Sequence, residues 1–275
     1  MVGKHWFTLN KNGWKLNDDS SLIFDTRDIN GLFVANVPPV VKPKQRVEFV
    51  EIEGRDGDIV YPLGYSAYEK EVIIGLIGGF DFSRLDEIIN ALSSYDEMRI
   101  TFSNEPELFY IGRIVDEIDY NKLKNFRRAT IRFHCQPFKY PSVRYTGGVL
   151  YSSSVSSNSV TFDIANYGNI LSTPVYCIDG KNTIKIKLAD MGENIGSHYY
   201  DPTFKELLRI NIGSTRKKVF VDTRTLDAHL EDGTLVNLSC VGDYENLRLK
   251  PGTHKLKVDN GGIYGVTVAD TSRWL

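Results

Sequence analysis

The run Val47-Glu48-Phe49-Val50-Glu51-Ile52-Glu53 alternates apolar and charged side chains and then enters Gly54-Arg55-Asp56-Gly57. Glycines on both sides of Arg-Asp supply the positive φ angles of a tight turn. The stretch Tyr65–Ile74 follows as a second alternating run, so the sequence predicts a hairpin of strands Gln45–Glu53 and Ala67–Ile77. The 15 tyrosines and 14 phenylalanines, with abundant Val, Ile and Thr, extend this preference for strands to the whole chain.

A chain of 275 residues is long enough for two ordinary domains. Its net charge of −2 provides neither a basic field for nucleic acid nor a polybasic face for a membrane. No apolar run approaches the ~18 residues of a spanning helix, and Met-Val-Gly-Lys-His-Trp-Phe lacks the apolar core of a secretion signal. Cys135, Cys177 and Cys240 are odd in number and far apart, which reads as buried thiols and not as a disulfide frame.

The first half reads as short strands around one helix. Beyond the hairpin, the strands are His5–Leu9, Ser21–Phe24, Leu32–Ala35, Glu97–Phe102, Leu108–Asp119 and Asn125–Gln136. Three prolines in Pro38–Pro43 remove ladder donors and predict an extended arm. Leu85, Ile88, Ile89 and Leu92 form one apolar stripe, giving a helix over Phe82–Leu92 with Ser83 as its N-cap. Asp119–Asn125 is expected to be a polar hairpin tip between two long strands. Pro137 and Pro141 break the pattern, placing a domain boundary there, with domains 1–138 and 139–275. The second domain reads as an all-β sandwich. Its short strands are Ser159–Asn166, Thr173–Ile178, Thr183–Leu188, Glu206–Ile212, Lys217–Asp222, Ala228–Leu230, Thr234–Asn237, His254–Val258 and Ile263–Val268. Turns are expected at Asp179-Gly180, Glu231-Asp232-Gly233, Pro251-Gly252 and Asn260-Gly261-Gly262. The serine-rich Tyr151–Ser159 reads as a loop or a polar edge strand.

No motif supports chemistry. Gly75, Gly78 and Gly79 precede a helix, but a dinucleotide fingerprint needs glycine where Phe80 stands, and Asp81 would repel phosphate. Asp18/Asp19, Asp56/Asp58 and Asp116/Asp119 are sequence neighbours in turns, not carboxylates facing each other across a cleft. His5, His134, His198, His229 and His254 lack metal-ligand spacing, and His134 and Cys135 should point to opposite faces of a strand. The expectation is no catalytic, cofactor-binding or metal-binding residue. The aromatic cluster Gly196–Pro202, with Tyr199 and Tyr200, and Trp274 suit either sugar stacking or protein packing.

Ordered along the chain are Val37-Pro38-Pro39, Glu53–Gly57, the Tyr68–Ile77 strand, the Phe82–Leu92 helix, the hairpin around Asn121 and Phe133-His134-Cys135-Gln136-Pro137-Phe138. Then follow Asn166-Tyr167-Gly168-Asn169, Thr173-Pro174-Val175, Val219-Phe220-Val221-Asp222, Asp232-Gly233, Leu247–Gly252 and Ser272-Arg273-Trp274-Leu275. This set resembles the distal tail proteins (the Dit family) of long-tailed bacteriophages, the siphovirus tail-tip or baseplate hub. One departure is the longer, polar N-terminus through Asn10–Lys15.

The resemblance implies a mainly β chain. Its N-terminal sandwich or barrel-like domain would carry one helix and a protruding hairpin, and its C-terminal domain would be a galectin-like β-sandwich. It implies a virion structural protein of the tail tip, made in the host bacterial cytoplasm. Six copies would form a ring through the N-terminal domain, with helix and hairpin gripping the next subunit. Partners would be the tail-tube protein, the tail-associated fibre or lysin protein and receptor-binding parts. DNA would pass the lumen without specific binding, and no membrane insertion is expected. A carbohydrate-binding adhesin of the host cell wall is the alternative.

Overall fold

The computed structural model describes residues 5–11, 22–141, 151–153, 157–190, 204–269 and 272–275. It is mainly β and divides into two units, Met1–Lys139 with Leu275, and Tyr140–Trp274. The departing N-terminal residues 12–15, Asp18/Asp19 and the 196–202 cluster lie outside the described residues.

In the first unit the strands are β1 (Phe7–Lys11), β2 (Leu22–Asp25), β3 (Leu32–Asn36), β4 (Gln45–Val50), β5 (Ile59–Tyr65), β6 (Tyr68–Leu76), β7 (Met98–Phe102), β8 (Leu108–Ile114) and β9 (Arg128–Pro141). Seven of them form one sheet in the order β2-β1-β7-β8-β9-β6-β3. His5, just before β1, bridges to Val34 in β3, so the sheet curls until its two sides meet. Period-two alternation aims one face inward. Along β9, Ala129, Ile131, Phe133 and Cys135 are buried while Arg128, Thr130, Arg132 and His134 are exposed. His134 and Cys135 thus face opposite ways, as expected. Phe7, Phe102 and Phe133 meet edge-on or tilted inside the curl, with ring centroids 5.7 Å apart for Phe7–Phe133 and 6.0 Å for Phe102–Phe133. The core also holds Cys135, whose thiol burial pushes its pKa up to about 12. Cys177 and Cys240, by contrast, are only half-buried.

Helix α1 (Leu85–Leu92) turns Ile88 and Leu92 into this core. Its start differs from expectation. Asp81, not Ser83, is the cap: its carboxylate accepts the Ser83 N–H at 3.0 Å and opens a 3-10 turn over Phe82–Arg84. The carboxylate that would repel phosphate is therefore engaged with its own helix.

Two further expectations are corrected here. The strand paired with β4 is β5, not the Ala67–Ile77 run, and together they make a separate two-stranded sheet. Gly54 (φ +80°) and Gly57 (φ +75°) do adopt the left-handed backbone inside the connecting loop. The later run is β6, which pairs with β3 and β9. Second, the connection after β8 is a helix, α2 (Tyr120–Phe126), not a hairpin tip. Asp119 caps it by accepting the Lys122 N–H at 2.8 Å, and Leu123 plugs fully into the core. With only one large aliphatic residue in seven, the segment shows no helical period to read.

The second unit contains β10 (Tyr151–Ser153), β11 (Ser157–Asn166), β12 (Val175–Lys181), β13 (Thr183–Asp190), β14 (Lys205–Asn211), β15 (Lys217–Asp222), β16 (Asp227–Leu230), β17 (Cys240–Gly242) and β18 (Gly252–Ala269). All nine belong to one sheet organised on β18. The first half of β18 pairs with β11 and β13, and its second half with β12 and β10. Both halves line one core, with Ile164, Ile186 and Leu256 meeting Tyr176, Val219 and Val266. Shared burial of this kind requires the sheet to curl.

Three local expectations fail for one reason each. Asn260-Gly261-Gly262 is not a turn but the middle of β18. Asp179-Gly180 is not a turn either, and the chain reverses at Asn182, with φ +64°. Gly180 and Gly262 are small because the strands crowd there: a Cβ on Gly180 would lie 2.9 Å from Ile184 Cδ1, and one on Gly262 2.8 Å from Lys181 Cε. Thr234–Asn237 is no strand. Leu235 makes a single bridge to His229, and a 3-10 turn over Asn237–Ser239 follows while Asn237 Oδ1 accepts the Ala228 N–H at 2.6 Å.

On this unit, Arg216 grips Asp179 through two hydrogen bonds, 2.8 and 2.5 Å, and lies over the Tyr264 ring at 4.4 Å. The Arg216 hydrogen bonds hold the Asp179 pKa below the usual carboxylate value. A depressed folded-state pKa adds stability above the unfolded value of about 3.9, which is lost as pH falls through the lower folded value. The urea midpoint of the native protein should therefore exceed that of Asp179→Asn at neutral pH. The gap should close as acidity passes from about pH 5 to about pH 2. A pH-independent gap would assign the difference to packing instead.

Candidate functional site

The feature most exposed to partners is the β4–β5 arm. Among the described residues it is hydrogen-bonded to no other strand, yet it carries Phe49, Ile52, Val60, Tyr61 and Leu63 in the open, each 45–59% exposed. An isolated two-stranded hairpin is marginal in water, and apolar surface on both of its faces raises the cost of leaving it uncovered. The geometry therefore fits a limb that is covered in an assembly. Arg55 and Asp56 sit at its tip, exposed, with the Arg55 N–H donating to the Ile52 carbonyl at 3.1 Å. They shape the loop.

The arm's root is fixed more firmly than the arm. Residues 37–44 are extended, as their prolines dictate, and Pro38 and Pro43 are buried. Asn104 Nδ2 donates to the Pro38 carbonyl at 2.9 Å, and Lys70 Nζ donates to the Pro39 carbonyl at 3.1 Å. Lys70 is only 2% exposed, and its ammonium lies 4.3 Å from the Tyr110 ring centre and 5.3 Å from that of Tyr68. Burial lowers its pKa. The aromatic faces and the carbonyl replace part of the lost hydration.

Beside it, Glu105 receives Lys139 Nζ at 2.9 Å on one oxygen and the Tyr110 hydroxyl on the other. Burial, followed by the Glu105 contact, raises the Tyr110 pKa. None of these four residues was singled out in the sequence. The signal for one was present: Lys70 shares strand parity with Val72 and Ile74, and that parity points inward.

The acids weighed for catalysis are occupied elsewhere. Asp56 and Asp58 lie in the exposed tip, Asp119 caps α2, and Asp116 shares Arg132 with Glu71, at 2.9 and 3.2 Å. His229 leans on Asp227 at 3.1 Å and stacks on Phe220, while His254 Nε2 lies 2.8 Å from the Lys250 carbonyl. Gly75 lies within β6 against the Phe33 ring. Among the described residues, no group of three His, Cys, Asp or Glu could hold a metal ion, and no helix is long and apolar enough to cross a membrane.

Three of the segments that carried the resemblance in the second unit, Asn166–Asn169, Leu247–Gly252 and Ser272–Leu275, meet in space. Asn166 Nδ2 donates to the carbonyls of Ile170 (2.7 Å) and Leu249 (2.9 Å), and its Oδ1 accepts the Gly168 N–H. Ser272, fully buried, accepts the Tyr167 N–H at 2.9 Å, and Arg273 donates to the Leu171 carbonyl at 2.5 Å. Gly168 packs directly against the Arg273 backbone. The C-terminal residues are thus clasped by the Asn166–Ser172 loop. Trp274 at their end is half-buried.

Comparison with known proteins agrees with this architecture. A phage tail protein RIFT-related domain matches residues 26–135, which include both the arm and α2. The distal tail protein of Bacillus phage SPP1 is 28% identical over 155 residues, 53% of this chain and 61% of the relative's own length. The crystal structure of the SPP1 protein, described as a paradigm of the hub of the adsorption apparatus in phages infecting Gram-positive bacteria, matches 98% of this chain and 99% of that one. The TM-score is 0.56 at 20% identity. A chain of the phage P2 baseplate in its activated, calcium-containing conformation matches 98% of each chain with a TM-score of 0.51 at 10% identity. Domain, relative and fold agree: residues 26–135 match the phage tail RIFT-related domain, and the chain is similar in sequence and fold to phage distal tail proteins.

Proposed function

We propose that the protein is a non-enzymatic hub of the tail tip, assembling as a ring of six copies through its first unit. The ring joins the tail tube on one face to the fibre or lysin protein on the other. The second unit, read as a galectin-like platform, carries receptor-binding parts. The single observation behind this reading is the β4–β5 arm, which stands apart from the sheet with five large apolar residues exposed. A monomer gains nothing from such surface, whereas a ring buries it in a repeated contact. Its root is secured by Lys70 and Asn104 to two proline carbonyls, which lowers the entropy cost of presenting it. Purified protein, alone and with tail-tube protein, should show rings of about six subunits by light scattering and negative-stain microscopy. A chain that stays monomeric at high concentration and fails to join tube protein would reject the hub.

A further inference from the structure

The arm and α2 sit at opposite ends of one strand. The arm re-enters the sheet through Ser66 at the start of β6, where Tyr68 pairs with Cys135, while α2 delivers the chain to Arg128, opposite Gly75. Nine residues of strand separate these ends by nearly 30 Å, and an arm strand of six or seven residues spans about 20 Å. The two features are built with opposite charge. Residues 45–65 hold five carboxylates against two arginines, and none of those carboxylates forms an ion pair among the described residues. Residues 120–128 hold Lys122, Lys124, Arg127 and Arg128 and no carboxylate.

The basic segment also has an apolar centre. Phe126 is 76% exposed, and neighbouring Arg127 donates to the Ile77 carbonyl at 2.9 Å and lies over Phe82, with Ile77 and Phe82 themselves exposed. The acids beside α2 are mostly engaged: Asp119 caps the helix and Asp116 pairs with Arg132. Glu117 remains.

We infer that the acidic, apolar arm of one copy docks on the basic, Phe126-centred face of α2 in the next copy. The inference rests on the ring reading and names its contact. Opposite ends of β6 make the contact heterologous, the kind that closes a ring when the rotation permits. Apolar residues supply the buried area, and the charges set which surface meets which.

Charge reversal tests it. An arm variant, Glu51→Lys with Glu53→Lys, leaves both surfaces basic, and a face variant, Lys122→Glu with Lys124→Glu and Arg128→Glu, leaves both acidic. Each alone should self-associate at least about tenfold more weakly than the native protein, read by light scattering over a concentration series. Mixed in equal amounts, they should recover assembly to within about threefold, because an alternating ring pairs every basic arm with an acidic face and every acidic arm with a basic face. Recovery in the mixture also proves that both variants are folded. Circular dichroism checks each one alone, and Glu51→Lys and Lys124→Glu serve as milder forms. Native protein that assembles while each variant still assembles unaided overturns the docking and leaves the ring reading standing. Folded variants that stay dispersed when mixed also overturn the docking. Native protein that never self-associates, with or without tube protein, overturns both.

Discussion

Replacing Gly168 with alanine is expected to destabilise the second unit by about 2–4 kcal/mol, although the change adds one methyl group. The new Cβ would land on the Arg273 backbone, and a main-chain carbonyl cannot swing aside as the end of a flexible side chain can. The C-terminal residues must move, which strips the Tyr167 N–H of its Ser272 acceptor and the Leu171 carbonyl of its Arg273 donor. Ser272 is fully buried, so groups left there without partners carry a desolvation penalty. Trp274, two residues on, gives the readout: its fluorescence in the native state should shift toward that of a solvated indole, and the urea midpoint should fall. Gly78→Ala provides the contrast. Nothing lies within 4 Å of a Cβ there and the backbone is not left-handed, so the change should stay within about 0.5 kcal/mol. An unchanged midpoint and spectrum for Gly168→Ala would show that the clasp does not hold the C-terminal residues in solution.

Removing the Glu105 carboxylate should be at least as damaging, at about 3–5 kcal/mol for Glu105→Ala. Its two oxygens are the acceptors for Lys139 Nζ and the Tyr110 hydroxyl, and Lys139 is 8% exposed at its side chain. The single substitution strands a buried ammonium beside that of Lys70, which already lies in the same aromatic surroundings. Pairing Glu105→Leu with Lys139→Met removes both charges and should recover much of the loss, because a buried ion pair is often replaceable by apolar side chains of similar volume. Chemical denaturation of the three proteins checks this. A double variant less stable than Glu105→Ala would mean that the pair does more than neutralise itself.

How far the sequence disclosed this molecule depended on the range of the interactions involved. Strands with one buried face were readable, since β9 and β15 show their inward residues as alternation. The proline arm and the left-handed glycines of the arm loop were readable too, because they follow from local backbone sterics. α2 was not, as Leu123 is its only deep anchor and one residue has no period. β5 was hidden by Pro62 and Gly64, which argue against a strand yet are tolerated on an exposed two-stranded arm. Glycine was the most misleading residue. At 180 and 262 it reads as a turn, and it is there because two strands approach closely. The Lys70 and Glu105 cluster depends on contacts between positions 31 and 34 residues apart, and only parity hinted at one member.

The unbroken run of β18 has a mechanical consequence. A pull along this strand would load hydrogen bonds on both of its flanks together, in shear, so many must fail at once before the strand slides. A pull across the edge strand β17, which pairs over only three residues, would open bonds one after another like a zipper. The second unit is therefore stiff in one direction and yielding in another, and the direction of stiffness is written by a single stretch of 18 residues.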